Sequence, residues 1–479
     1  MRKPSIIIPI LLIAVFLTAC MTYYQKTQKF QDMVSQGELE KAKTYLEKND
    51  KDKDGKNKIL YYMYLGWVDW MLGNYKESNQ AFQTADLLTE DFEKKFGNEV
   101  LATFTNQGVK PYHPEDFENV MINYFKALNY LGLHQYNEAQ VEARKIILKL
   151  QQLNDKYKEN KNKYSDDAFA HIIIGLVYDA NRDYNNAFIA YRNAYETYEN
   201  IYKENFNVNA PLQLKKDLIR TAYLTGFKDD VRRYEEKFGL EYDPMTSTGG
   251  SLVFFWQNGL GPVKAEWSIT FTQIKGEAGF VTFTNADLGI TFPMYIGDRS
   301  DKEQNALRDL SIFRVAFPKY VERLPIFDKA NISLDGKAYP LELAENINAI
   351  AFKTLHDRML REMGNALLRV AVKRAMEEAA RKLTEHENSG DIKLQDLAPA
   401  ALTILNAATE KADTRNWQTL PFDIFYTRVP LSQGDNSILL KTSGNKGQSS
   451  SHTFNIDGIK GGTAFYTYQS LESNPVSSN

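Results

Sequence analysis

The chain has 479 residues, 43% hydrophobic and 25% charged, with 58 basic against 61 acidic side chains for a net charge of −3. This length supports two or three domains, and the near balance of charge gives no global field for nucleic acid. A single cysteine excludes an internal disulfide framework.

In chain order, Arg2 and Lys3 precede an apolar run from Ile6 to Leu17. The run falls short of the roughly 20 residues a bilayer-spanning helix needs, so it reads as a secretory leader over residues 1–19. Leu17-Thr18-Ala19-Cys20 resembles the bacterial lipobox. That resemblance implies cleavage before Cys20, acylation of the new terminus and anchoring in a membrane; the alternative is an ordinary thiol in a leader remnant. Met21 is not the aspartate of an inner-membrane retention signal, and Thr22 to Phe30 carries no acidic run. The expectation is an outer-membrane, lipid-anchored body facing the periplasm.

Helical hairpins come next. Tyr62, Gly66, Gly73, Tyr75, Ser78, Phe82 and Ala85 resemble a tetratricopeptide repeat, in which small residues let two antiparallel helices approach and aromatics fill the groove. Gly175, Tyr178, Tyr184, Ala187, Tyr191 and Ala194 form a second copy. Tyr130, Tyr136 and Ala139 give a weaker one, Gly37, Ala42 and Leu46 another, and Leu212 to Phe238 a closing pair. Such arrays bury a continuous core by stacking and present a concave face, so residues 20–243 are expected either to bind a protein or peptide or to act as a helical spacer. Between two of these helices, Asp50, Asp52 and Asp54 precede Gly55 like the first half of an EF-hand loop. Tyr61 stands where the bidentate glutamate belongs, and Lys51, Lys53 and Lys56 oppose a dication, so a solvated loop is expected and calcium is a weak alternative.

Thr246 to Gly250 lies in a linker over residues 244–250. Beyond it, Trp267, Ile269 and Phe271, then Val281 and Phe283, alternate with polar residues as half-buried strands do. Further strands are expected over residues 310–317, 422–429, 437–441, 452–456 and 463–469. Residues 251–479 therefore read as an antiparallel β-sandwich-like domain. Ile347, Ala351, Leu355, Met359, Met363, Leu367 and Val370 step by helical turns, which predicts a long helical hairpin inserted at about 343–411. The whole is an α+β multidomain protein. Arg361 and Arg369 enrich the first inserted helix in positive charge, for an anionic lipid, glycan or partner, or simply as a solvated face.

Signals for chemistry are sparse. No Gly-x-Ser-x-Gly occurs, and the six histidines show no His-x-x-x-His spacing. Asn258-Gly259-Leu260-Gly261-Pro262-Val263-Lys264 is glycine-rich, but it lacks the P-loop pattern, Pro262 has no N–H, and a strand follows. It reads as a corner between strands, with no nucleotide, and no cofactor is expected.

Three stretches, NGLGPVK at 258–264, NINAIAFKTLHDR at 346–358 and ADTRNWQTLP at 412–421, stand behind the lipobox and helical hairpins. Together they resemble a family of bacterial lipoproteins without an assigned activity. In some bacteria the family's genes neighbour one for a lipoprotein resembling penicillin-binding-protein activators, which implies a part in envelope construction. The family brings no catalytic residues. Within ADTRNWQTLP, Arg415 is placed to pair with Asp413, and Trp417 and Leu420 to seat the chain back on the β domain, or else to meet a partner. Candidate binding residues are Lys264, Arg361, Arg369, Arg415 and Trp417, with Cys20 for lipidation. The expected function is a non-enzymatic, lipid-anchored scaffold that binds envelope proteins through its repeats. The alternative is a cell-wall hydrolase or glycan-binding protein acting through the β domain.

Overall fold

The computed structural model describes residues 22–96, 111–156, 163–244, 247–274, 279–286, 290–309, 311–359 and 412–475. Short helices α1 (Tyr23–Lys26), α2 (Gln28–Ser35), α3 (Leu39–Glu47) and α4 (Asp50–Lys53) open the chain. Three hairpins follow: α5 (Lys58–Met71) with α6 (Tyr75–Phe96), α7 (Asp116–Gly132) with α8 (Tyr136–Lys156), and α9 (Ala168–Ala180) with α10 (Tyr184–Thr197). A π-helical turn, Tyr198–Tyr202, leads into α11 (Lys203–Phe206), and α12 (Leu212–Thr225) with α13 (Lys228–Phe238) closes the array.

The small and aromatic positions predicted from sequence meet as tetratricopeptide-like packing requires. A Cβ on Gly66 would lie 2.8 Å from the Phe82 ring, and one on Gly175 would lie 2.5 Å from Tyr191. Only glycine lets each helix pair close on its aromatic. Gly37 and Gly73 terminate α2 and α5 with φ of 72° and 77°, the left-handed region that glycine enters at little steric cost.

Among the described residues, the second half forms three four-stranded sheets. The central one has order β12-β1-β9-β8, from β1 (Ser251–Asn258), β8 (Glu342–Asn346), β9 (Asp423–Pro430) and β12 (Thr463–Ser470). Its β1–β12 pairing is parallel and the rest antiparallel. Packed on it is an antiparallel sheet of β6 (Lys329–Leu334), β7 (Lys337–Pro340), β10 (Gly434–Ser443) and β11 (Ser449–Gly458). The third, also antiparallel, joins β2 (Val263–Ile274), β3 (Phe280–Asn285), β4 (Ile290–Tyr295) and β5 (Ile312–Val321), with helix α14 (Asp301–Asp309) beside it.

All eight residues of β1 are buried, which a strand with one solvated face would not show. Leu252, Phe254 and Trp256 point into the sandwich core with Ile332, Ile438 and Leu440. Val253 and Phe255 point the other way, into a core shared with the helical array, where Phe255 meets Phe169 edge-on at 5.7 Å. One face of the array is thus covered by the chain's own central sheet.

Two expectations change. The helix foreseen from Leu343 begins at 347, because 342–346 pairs with β9 as β8; residues 360–411, with the rest of the predicted hairpin, lie outside the described residues. The β6–β7 hairpin was not foreseen, although its signal is local. Asp335-Gly336 sits between the strands with φ of 49° and 76°, the double left-handed turn that Asp-Gly favours.

Candidate functional site

The two glycine- and tryptophan-bearing motifs, far apart in sequence, meet where the array docks on the sheets. Residues 412–421 run between the helices and the β2 corner. Trp417 is 1% exposed and lies 5.6 Å from both Phe82 and Phe125. Its backbone N–H donates to Glu118 Oε1 at 2.7 Å, and its indole N–H to Thr419 Oγ1 at 2.9 Å. The Tyr64 hydroxyl donates to the Asn416 carbonyl at 3.0 Å. Asn416 in turn donates to the Pro262 carbonyl at 2.8 Å and accepts from the Lys264 N–H at 3.2 Å. Gly261 donates to the Leu420 carbonyl at 2.6 Å, and a Cβ there would stand 3.2 Å from that oxygen. The corner therefore serves close backbone approach between two segments of one chain. Gly259, at φ 65°, makes the turn itself.

Arg415, 4% exposed, forks onto Asp413 with its Nε at 2.9 Å and its Nη2 at 2.6 Å. Its Nη1 also reaches Asn57 at 3.1 Å, and the guanidinium lies over the Tyr112 ring. Burial opposes ionisation of Asp413, but Arg415 outweighs it and holds the carboxyl below its ordinary value.

Lys264 is 4% exposed and its ammonium donates to Glu115. Arg358 Nη1 reaches the same carboxylate at 2.8 and 2.9 Å. Burial would raise the Glu115 carboxyl, yet Arg358 and Lys264 prevail and hold it down at about 2. Glu115 also caps α7, where the positive end of the helix favours an anion. Glu118, one turn on, reaches back to the Glu115 N–H at 2.9 Å and accepts from the Tyr112 hydroxyl. Burial raises its carboxyl.

A second joint is charged too. Arg428 on β9 donates to Asp179 on α9 at 2.7 Å and lies 3.0 Å from Asp217 on α12, with Arg220 bridging the same two carboxylates. A third lies where the π-helical turn meets β8. That turn aims Tyr198 at the Ala344 carbonyl, at 2.7 Å, and Tyr202 at Glu345, at 3.1 and 3.2 Å. Glu345 is 2% exposed and pairs with no cation among the described residues. Burial and then the nearby Asp167 push its carboxyl well above the usual range, while burial lifts Asp423 to about 7.

These placements revise the sequence-based candidates. Lys264, Arg415 and Trp417 are interior groups of an intramolecular joint rather than surface residues for a partner, because Glu115, Asp413 and the Phe82–Phe125 pair use them. Arg361, Arg369 and Cys20 lie outside the described residues. Asp50 to Lys53 is a helical turn, not an open loop, and Asp52 accepts from Asn49 and Asn57 at 2.7 and 2.8 Å. Among the described residues no group of three His, Cys, Asp or Glu is arranged to hold a metal ion. Lys264, Glu115, Glu118 and Tyr112 are the types acid–base chemistry uses, but all are buried and bonded to protein groups.

The outer side differs. Helices α8 and α10 flank a groove of about 440 Å³ lined by Ile147, Leu148, His171, Ile174, Ile189 and Asn193. Leu148 and Ile189 are 55% and 37% exposed at its rim.

The chain matches no protein-family profile and no curated protein sequence. Among solved structures, the apo form of RapI is 15% identical over 45% of this chain and 52% of its own, with a TM-score of 0.33; this chain therefore spans about half of that protein. A Podosopora anserina putative kinesin light chain with tetratricopeptide-like repeats is 12% identical over 45% of this chain and 95% of its own, with a TM-score of 0.30. A tetratricopeptide repeat protein from Parabacteroides merdae is 13% identical over 47% and 81%, with a TM-score of 0.20. At these scores the likenesses carry no argument, and the repeat architecture rests on the helix packing described above.

Proposed function

We propose that this protein is a non-catalytic scaffold of the bacterial envelope, lipid-anchored through Cys20 in the outer membrane with its body in the periplasm, and that it receives a partner protein on the outer side of its helical array. One observation carries the choice of surface. The side facing the sheets is taken by the chain's own residues 412–421 and β1, whereas the α8–α10 groove is open and rimmed by exposed apolar side chains. Apolar side chains beside polar groups are the composition of a protein-binding patch.

Photo-crosslinking in the native cell tests this. A crosslinker at Ile189 or Leu148 is expected to trap one defined envelope protein, and one at Thr248, on the exposed linker side, is not. Identical nonspecific patterns from all three positions would refute the surface assignment.

A further inference from the structure

The first described residues are not a loose stalk. Thr22 and Gln25 form a reciprocal capping box at the start of α1. The Tyr23 N–H donates to Thr414 Oγ1 at 2.9 Å and the Tyr23 side chain is 7% exposed, so the helix is fixed to the main joint. The Arg323 guanidinium lies over the Tyr24 ring at 5.9 Å, and its Nη1 reaches Gln31 on α2 at 3.4 Å. The adjacent turn is held as well: Asn474 N–H donates to the Leu324 carbonyl at 2.8 Å, and Pro325 bridges to Ser473.

From Cys20 to Tyr23 is three Cα steps, at most about 11 Å when fully extended. A body tied at Tyr23 cannot stand farther than this from an acyl group on Cys20. The surface around that tie suits a bilayer. Thr22 to Gln31 contains Lys26 and Lys29 and no acidic residue, and Gln25, Lys26, Gln28 and Lys29 are exposed. Leu324 beside them is 52% exposed, and the exposed Glu322 of the same turn accepts from Asn348 at 2.8 Å. Basic side chains with an apolar one are complementary to anionic headgroups.

We propose that α1, the start of α2 and the turn at 322–325 form a membrane-apposed face, held against the bilayer by a tether too short to release it. This inference rests on the lipid-anchoring reading above. It fixes the orientation of the whole molecule, because the closing hairpin α12–α13 lies several helix layers away along the array, each about 8–10 Å thick. The partner-binding groove is thereby presented at a set height.

The test uses the full-length lipidated protein in vesicles of phosphatidylethanolamine and phosphatidylglycerol carrying a headgroup-linked quencher. Because Cys20 is the sole cysteine, Gln25→Cys, Leu324→Cys and Leu224→Cys each add one labelling site once Cys20 is acylated. Dye at 25 and 324 is expected to be quenched several-fold more than dye at 224, and a flexible linker of about 20 Gly/Ser residues after Met21, adding roughly 25 Å of reach, is expected to abolish the difference. Equal quenching at the three sites, or unchanged quenching after linker insertion, would overturn the proposal. Intact mass separates the two readings: a preparation without acyl groups on Cys20 refutes the anchor itself, whereas an acylated protein with equal quenching refutes only the apposed face.

Discussion

Two of the joints between helices and sheets bury carboxylates to similar depth and treat them oppositely. At one, Glu115 receives Lys264 and Arg358 and is held ionised. At the other, Glu345 meets Tyr202 and faces Asp167 with no cation paired to it among the described residues, and its neutral form is favoured. Burial alone therefore does not set the charge state. The partner does, and it decides which side of neutrality each joint tolerates.

The comparison can be broken from the charged side first. Trp417→Ala removes the ring wedged between Phe82 and Phe125 and should cost about 4 kcal/mol in chemical denaturation. A loss below about 1 kcal/mol would show that the segment is not seated in the core. Lys264→Met should cost about 3 kcal/mol, since Arg358 still neutralises part of the Glu115 charge.

The pH dependence sharpens the contrast. Glu115 has its folded pKa depressed, so its stabilisation is present above about pH 4.5 and is lost as pH falls towards 2. Glu345 and Asp423 have folded pKa values raised, so the cost of their burial is absent below about pH 4 and grows as pH rises; for Asp423 it is complete near pH 7. Asp423→Asn is thus expected to leave stability unchanged at pH 4 and to raise it by about 2 kcal/mol at pH 8, while Glu115→Gln flattens only the acid limb. Urea midpoints across pH for both variants check the signs. The smallest effect is expected from Gly175→Ala. The 2.5 Å approach to Tyr191 should cost about 2 kcal/mol through overpacking, reduced by about 1 kcal/mol of helix propensity.

Much of the fold was legible locally. Gly66 with Phe82 and Gly175 with Tyr191 announced helix pairs because the approach of two helices imposes a small residue opposite a ring. Alternation in β2 and β3 announced strands with one buried face. β8 was hidden because its five residues run directly into a helix and carry no alternation of their own. The fate of Lys264, Arg415 and Trp417 was less readable. Arg415 with Asp413 is a local pair, two residues apart, and was foreseen. Glu115 lies 149 positions before Lys264, and no pattern around either residue names the other.

The sequence by itself determined the helical hairpins, most of the strands and the corner at 258–264, because those depend on the periodicity of side chains and on glycine geometry within a few residues. Only the tertiary structure decided that the array's sheet-facing side is filled by its own chain. That outcome depends on two apolar faces and two sets of buried charges, far apart in sequence, finding complements whose energies arise only once water is excluded between them.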